Sequence, residues 1–113
     1  LFDRDPLPRW TAGAVTLLGD AAHPMLPFLG QGAAMGIEDA MVLARALVEA
    51  GSLPVALARY EAARHERTTF VMHKSRETAH AYHHADVDHY RPGQHVSAES
   101  LGLMAYNPAA VPI

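Results

Sequence analysis

Two short segments of the chain combine residue types suited to holding a ligand. The carboxylate of Asp20 follows Gly19 at the end of the apolar run Ala14–Leu18. An ionised carboxylate only accepts hydrogen bonds, so it repels a pyrophosphate but suits a polyol, whose hydroxyls donate. Gly19 lets another group approach the backbone closely. Further on, Gly30–Gln31–Gly32 opens a segment with helical spacing. The first amides of a helix lack partners within it and lie at the positive end of its dipole. Such an end favours negative charge on a nearby ring edge by about 1–2 kcal/mol when partly buried. The two glycines remove side chains that would keep a planar ring at a distance. Pro24 and Pro27 restrict the loop between the two contacts and offer an apolar wall without an N–H donor.

These groups need elements to position them. Pro6, Pro8 and Gly13 mark residues 3–13 as a loop. The partly β-branched run 14–18 predicts a short buried strand of the kind found in parallel sheets, and open α/β sheets bind ligands at the carboxyl edge of such strands. Residues 21–30 form a constrained loop. Ala33, Ala34, Ile37, Ala40, Met41, Ala44, Leu47 and Val48 recur at three- and four-residue spacing, which predicts a helix over 31–50 with that stripe inward. Gly51–Ser52 ends it. A second helix is predicted over 53–82, with Ser52 as cap and Pro54 in its first turn. Its later part is polar, with Glu61, Arg64, His65, Arg67, Lys74 and Arg76. Glycine, proline and histidine interrupt any period beyond it, so 85–113 reads as an irregular tail. The segment is thus expected to be mainly α, with one short buried strand, two helices and that tail.

The 113 residues allow one small domain or part of a larger one, and 50% hydrophobic content is ordinary for a globular core. A net charge of −3 supplies no basic field for nucleic acid or an anionic membrane. No apolar stretch approaches the length of a membrane span. The absence of cysteine excludes disulfides and thiolate chemistry and fits a reducing, cytoplasmic setting. The chain starts at Leu1 without a signal-peptide pattern and reads as part of a longer protein.

Other residues favour structural roles. Glu38 and Asp39 are turned about 100° apart on a helix, so they are not an acid/base pair. They are expected to anchor the helix surface to a neighbouring segment. Arg45 and Glu49 are spaced to pair along the helix. His80, His83, His84, Asp86, Asp88 and His89 cluster in sequence, but no zinc-protease glutamate follows His80, and no metal is expected there. Met25, Met35, Met41, Met72 and Met104 read as core or interface filler. Trp10, Tyr60 and Phe70 read as packing residues. The apolar stretch Leu101–Ile113 is expected to dock on another domain or subunit, which leaves a homodimer open.

On residues alone, two readings stand. One is a flavin site, with Asp20 on the ribityl chain and the Gly30–Gly32 turn on the pyrimidine edge of the ring. The other is a strand, a tight loop and a core helix with no ligand. The combination Leu18–Gly19–Asp20–Ala21–Ala22–His23–Pro24, Gly30–Gln31–Gly32–Ala33 and Ile37–Glu38–Asp39–Ala40 is more specific than its parts. It resembles the second flavin motif of group A FAD-dependent aromatic monooxygenases, most of all the salicylate and 6-hydroxynicotinate hydroxylase branch. Asp3–Arg4–Asp5–Pro6, Trp10 and Gly13 share that likeness, which is strong over 3–50 and fades beyond about residue 77.

The resemblance implies an α/β parent with an FAD/NAD(P)-binding fold, in which 1–84 is the C-terminal part of the FAD-binding domain. It implies FAD as cofactor and NAD(P)H as co-substrate. It also implies hydroxylation of a phenolic or hydroxypyridine-type aromatic acid with O2, through a flavin C4a-hydroperoxide. Asp20, with Gly19, would hold the ribityl hydroxyls. Gly30, Gln31 and Gly32 would offer backbone N–H groups to the pyrimidine edge, with Ala33 beside them, and Pro24 would lie near the ring. No residue is assigned a proton-transfer role; His23 lies beside this region. The alternatives are another flavoenzyme of the superfamily (halogenase, epoxidase or reductase) or a non-catalytic helical segment. The sequence departs from the family in lacking the Gly-x-Gly-x-x-Gly and Asp-Gly motifs and most of the substrate-binding sheet. It also has Ala14 where relatives often carry arginine. The remainder of a parent chain would have to supply the missing parts.

Overall fold

A computed structural model describes residues 3–84 and 96–113. Two strands, β1 (Thr11–Ala12) and β2 (Val15–Thr16), form an antiparallel hairpin around Gly13. Gly13 takes a positive φ of 59°, which a tight turn requires and glycine adopts without strain. Two 3-10 turns follow, Gly19–Ala21 and Pro27–Leu29. Helix α1 spans Gly32–Glu49 and helix α2 spans Leu53–His84. A further 3-10 turn, Leu103–Ala105, lies in the tail.

The strand predicted over 14–18 differs in two ways. It is only two residues long, and it pairs antiparallel with its own upstream neighbour. Val15 is 67% exposed rather than buried. Among the described residues β1 is its sole strand partner. The run continues as extended chain, with the Leu17 N–H donating to Trp10 O at 3.1 Å, and it delivers Gly19 to the first 3-10 turn.

The two helices pack as an antiparallel pair joined by Ala50–Ser52. The buried face of α1 is Met35, Asp39, Val42 and Ala46, at spacings of four, three and four. This is not the predicted stripe. Ile37, Met41, Leu47 and Val48 point outward, at 71%, 45%, 48% and 85% exposure. The physical reason is a polar contact. Asp39 finds cationic and amide partners inside, and that fixes the rotation of the helix.

Helix α2 buries a mixed face: Tyr60, Arg64, Thr68, Val71 and Ser75 are all fully buried. Thr68 Oγ1 donates to Arg64 O at 3.1 Å, and Thr78 Oγ1 donates to Lys74 O at 2.8 Å, so neither hydroxyl is orphaned. Two apolar clusters result. Trp10, Val42, Ala46 and Tyr60 form one; Met35, Val71, Ala98 and Leu103 form the other. In sequence order along both helices, Asp39 and Arg64 lie between them.

Phe70, expected to pack, is instead 43% exposed beside Lys74, and Met41 and Met104 are also exposed. The described tail residues dock on this chain. Arg45 donates to Pro108 O and Val111 O, each at 2.9 Å, and Arg67 donates to Leu103 O at 3.0 Å. The Arg67 guanidinium sits 3.9 Å from the centre of the Tyr106 ring. Arg45 also reaches Glu49 at 3.4 Å, the spacing-derived pair. Of the histidine cluster, Asp86, Asp88 and His89 lie outside the described residues. No described helix is long and apolar enough to cross a membrane.

Candidate functional site

The site is built on the turn that follows β2. Leu18 is extended, and Gly19 then turns with φ 61°. Its carbonyl accepts the Ala22 and His23 N–H groups, both at 2.9 Å. This closes a tight loop with Asp20 on its outer, exposed side. No protein group among the described residues hydrogen-bonds the Asp20 carboxylate, so its acceptors face outward. From outside the turn, the Arg4 guanidinium donates to Ala21 O and to Ala22 O.

The second contact lies across a shallow depression of about 520 Å³. Gly19 and Asp20 border it on one side; Gly30, Gly32 and Ala33 border it on the other. Gly30 holds a left-handed φ of 64° at the end of the Pro27–Leu29 turn, which aims the chain into α1. The earliest backbone bond of α1 runs from Met35 N–H to Gln31 O. The amides before it, on Gly32, Ala33 and Ala34, therefore have no intrahelical acceptor. A Cβ added at Gly30 would meet nothing within 4 Å, and one at Gly32 would meet only Met25 Cγ at 3.8 Å. The glycines thus keep open space open.

One sequence-derived site residue falls elsewhere. Pro24 is buried beneath the loop and does not border the depression; Pro27 does. Of the backbone donors expected here, the Gly30 N–H is taken by Pro27 O at 2.9 Å, while the buried Gln31 side chain donates to Leu29 O at 3.4 Å and leaves its own N–H out of that bond. The Pro27–Leu29 turn is braced from outside by Phe28, whose ring lies 5.7 Å from that of Tyr82 and 6.0 Å from that of His83.

Beneath the turn lies a polar cluster that spacing did not reveal. Asp39 is fully buried, not at the helix surface. Its Oδ2 accepts the Gly19 N–H at 3.1 Å and lies 2.5 Å from His23 Nε2. Its Oδ1 accepts Arg64 Nε at 2.7 Å. Burial opposes the Asp39 charge, but hydrogen bonds from His23 and Arg64 outweigh it and hold the carboxyl below its usual range. Burial likewise works against the Arg64 charge, and the interactions with Asp39 and Tyr106 together outweigh it, raising that pKa. Glu38 does anchor the helix edge, as expected: it takes Arg67 with two bonds of 2.8 Å and Arg64 at 2.9 Å. Tyr60 donates to Leu17 O at 3.0 Å, and burial pushes its phenol pKa well up. Trp10 packs against His23, Tyr60 and His65.

A larger concavity, about 700 Å³, lies elsewhere, near Thr11, Glu61 and His65. Its polar groups already have partners. Glu61 accepts the Thr11 N–H, and His65 Nε2 meets Leu7 O. The smaller, glycine-lined depression has the unpaired acceptors and donors, which makes it the candidate site.

The chain is similar to known proteins. The model of a family described as the FAD binding domain matches residues 5–75. The chain is 51% identical over 85 residues to 3-hydroxybenzoate 6-hydroxylase 1 of Aquipseudomonas alcaligenes, covering 75% of this chain and 22% of that protein. It is 52% identical over 79 residues to 6-hydroxynicotinate 3-monooxygenase of Pseudomonas fluorescens, covering 68% and 20%. It is 55% identical over 67 residues to aurachin C monooxygenase/isomerase of Stigmatella aurantiaca, covering 59% and 18%. The crystal structure of FqzB superimposes with a TM-score of 0.70 at 41% identity, over 72% of this chain and 20% of that one. The chain spans about a fifth of the length of the curated relatives it matches. The chain therefore belongs to the FAD-binding domain family, and its relatives are group A aromatic monooxygenases.

Proposed function

We propose that these residues form the ribityl- and ring-facing half of an FAD site in a flavoprotein monooxygenase. The enzyme would act on a phenolic or hydroxypyridine-type aromatic acid, with NAD(P)H and O2 as co-substrates. The observation that carries the reading is the glycine-lined depression, with an unpaired carboxylate on one rim and unpaired helix amides on the other. The donor set fits the group. Asp20 offers acceptors to ribityl hydroxyls, and the Gly32 and Ala33 amides offer donors to the pyrimidine edge. When bound, the flavin would supply the redox chemistry that couples NAD(P)H and O2 to hydroxylation of the aromatic ring.

The chain's own residues bind and orient. Asp20 fixes the polyol, and the N-terminus of α1 favours negative charge on the ring edge. Gly30 and Gly32 allow the ring to approach, and Pro27 borders the same space as an apolar wall that donates no hydrogen bond. The adenine and pyrophosphate half, the nicotinamide contacts and the substrate pocket would come from sequence outside these residues.

The test uses the natural chain that carries this segment. It should purify with a flavin spectrum, and its NAD(P)H oxidation should rise when hydroxybenzoates or hydroxynicotinates are added. A colourless protein that takes up no FAD in titration would overturn the site. Flavin binding without stimulation by any aromatic acid would point instead to a halogenase, epoxidase or reductase activity.

A further inference from the structure

The geometry points to Asp39 as the residue that positions Asp20, with His23 and Arg64 as its supports. This role rests on the reading of Asp20 as the ribityl acceptor. The turn that carries Asp20 begins at Gly19 and closes at His23. One carboxylate oxygen, Asp39 Oδ2, accepts the Gly19 N–H at 3.1 Å and meets His23 Nε2 at 2.5 Å. Both ends of the turn are thus tied to a single buried atom, and Asp20 sits between the two ties. The other carboxylate oxygen is held by Arg64 Nε at 2.7 Å. Arg64 is itself fixed by Glu38 at 2.9 Å and is fully buried on α2.

A buried ion pair is a poor device for stability alone. Apolar residues of similar volume often do as well, because charges lose their hydration on burial. Directional bonds contribute something apolar packing does not, namely one defined position for the groups they hold. Here the held groups are a backbone amide and an imidazole that bracket the proposed ligand contact. The backbone also permits this approach: a Cβ added at Gly36, one turn before α1 reaches Asp39 and Ala40, would lie 3.8 Å from Gly19 Cα. Helix and turn meet backbone to backbone. Placing the acceptor before the ligand arrives lowers the ordering cost of binding.

The test is a double-mutant cycle read as FAD affinity, with the melting temperature of the FAD-free protein recorded alongside. Asp39→Asn keeps the side-chain shape. His23→Phe keeps a ring against Trp10, loses the tie to Asp39 and supplies the cycle should Asp39→Asn not fold. Each is combined with Asp20→Ala in the natural chain that carries this segment. If Asp39 acts through Asp20, each single variant weakens FAD binding by roughly tenfold, and the double variant is hardly weaker than Asp20→Ala alone. Losses that multiply in full would overturn the positioning role while leaving the flavin site intact. No loss with Asp20→Ala would overturn the site reading itself, and this inference with it.

Discussion

The turn at Gly19–His23 has two sides, and they obey different physics. On the inner side, Asp39 is fully buried and has three partners: the Gly19 amide, His23 and Arg64. On the outer side, Asp20 is exposed and has no protein partner among the described residues. Both are aspartates within one small region. The buried one is saturated because an unpaired charge there is costly. The exposed one can stay unpaired at little cost in water, which leaves it available to a ligand. The difference teaches where stability and binding reside: inside for the first, outside for the second.

The largest effect should come from breaking the inner side. Arg64→Met removes one partner and leaves the Asp39 charge buried, so it should lower stability by about 3–5 kcal/mol in chemical denaturation. A loss below about 1 kcal/mol would show that the inner cluster is not what holds the turn.

Acid should weaken the same side more gently. The folded-state pKa of Asp39 lies below its ordinary value of 3.8. Its contribution to stability is therefore fully present above that value and is lost as pH falls through the lower folded one. Protonation keeps a carbonyl acceptor in place, so the loss is smaller than for Arg64→Met. Denaturation measured from pH 6 down to 3 should show a steeper decline for the parent protein than for Asp39→Asn. Equal slopes would remove Asp39 from the account.

On the outer side, effects on folding should be small and local. Gly30→Ala meets no atom within 4 Å, but it places a side chain at a φ of 64°. It should cost about 1–2 kcal/mol through backbone strain alone. Gly32→Ala is helical and meets only Met25 Cγ at 3.8 Å, so its melting temperature should stay near that of the parent. Its methyl group projects toward the depression, and FAD affinity should fall. If Gly32→Ala lost stability but not affinity, the two sides would not be separable.

The outer side was the legible one. Gly19–Asp20 after an apolar run and Gly30–Gln31–Gly32 before a helix are local patterns, and the structure brings Gly19, Asp20, Gly30, Gly32 and Ala33 around one depression. The inner side was not legible. Asp39 reaches Arg64 across 25 residues and His23 across 16, and spacing along one helix carries no trace of either. Periodicity even selected the outward face of α1, because Ile37, Met41 and Val48 form the more apolar stripe. Hydrophobic patterning ranks faces by side-chain polarity alone and has no term for a charge with partners in place. The same limit explains α2, where Arg64, Thr68 and Ser75 lie on the buried face. Pro24 and Pro27 could not be told apart by type; only the fold shows that Pro27 borders the opening.

The most direct measurement is an FAD titration of Asp20→Ala beside its thermal melt without cofactor. Loss of an ionised acceptor for the ribityl hydroxyls should weaken FAD by about tenfold to a hundredfold. The melt should stay close to that of the parent, since an exposed, unpartnered side chain contributes within about 0.5 kcal/mol to folding. Undiminished FAD affinity in a folded Asp20→Ala protein would contradict the account.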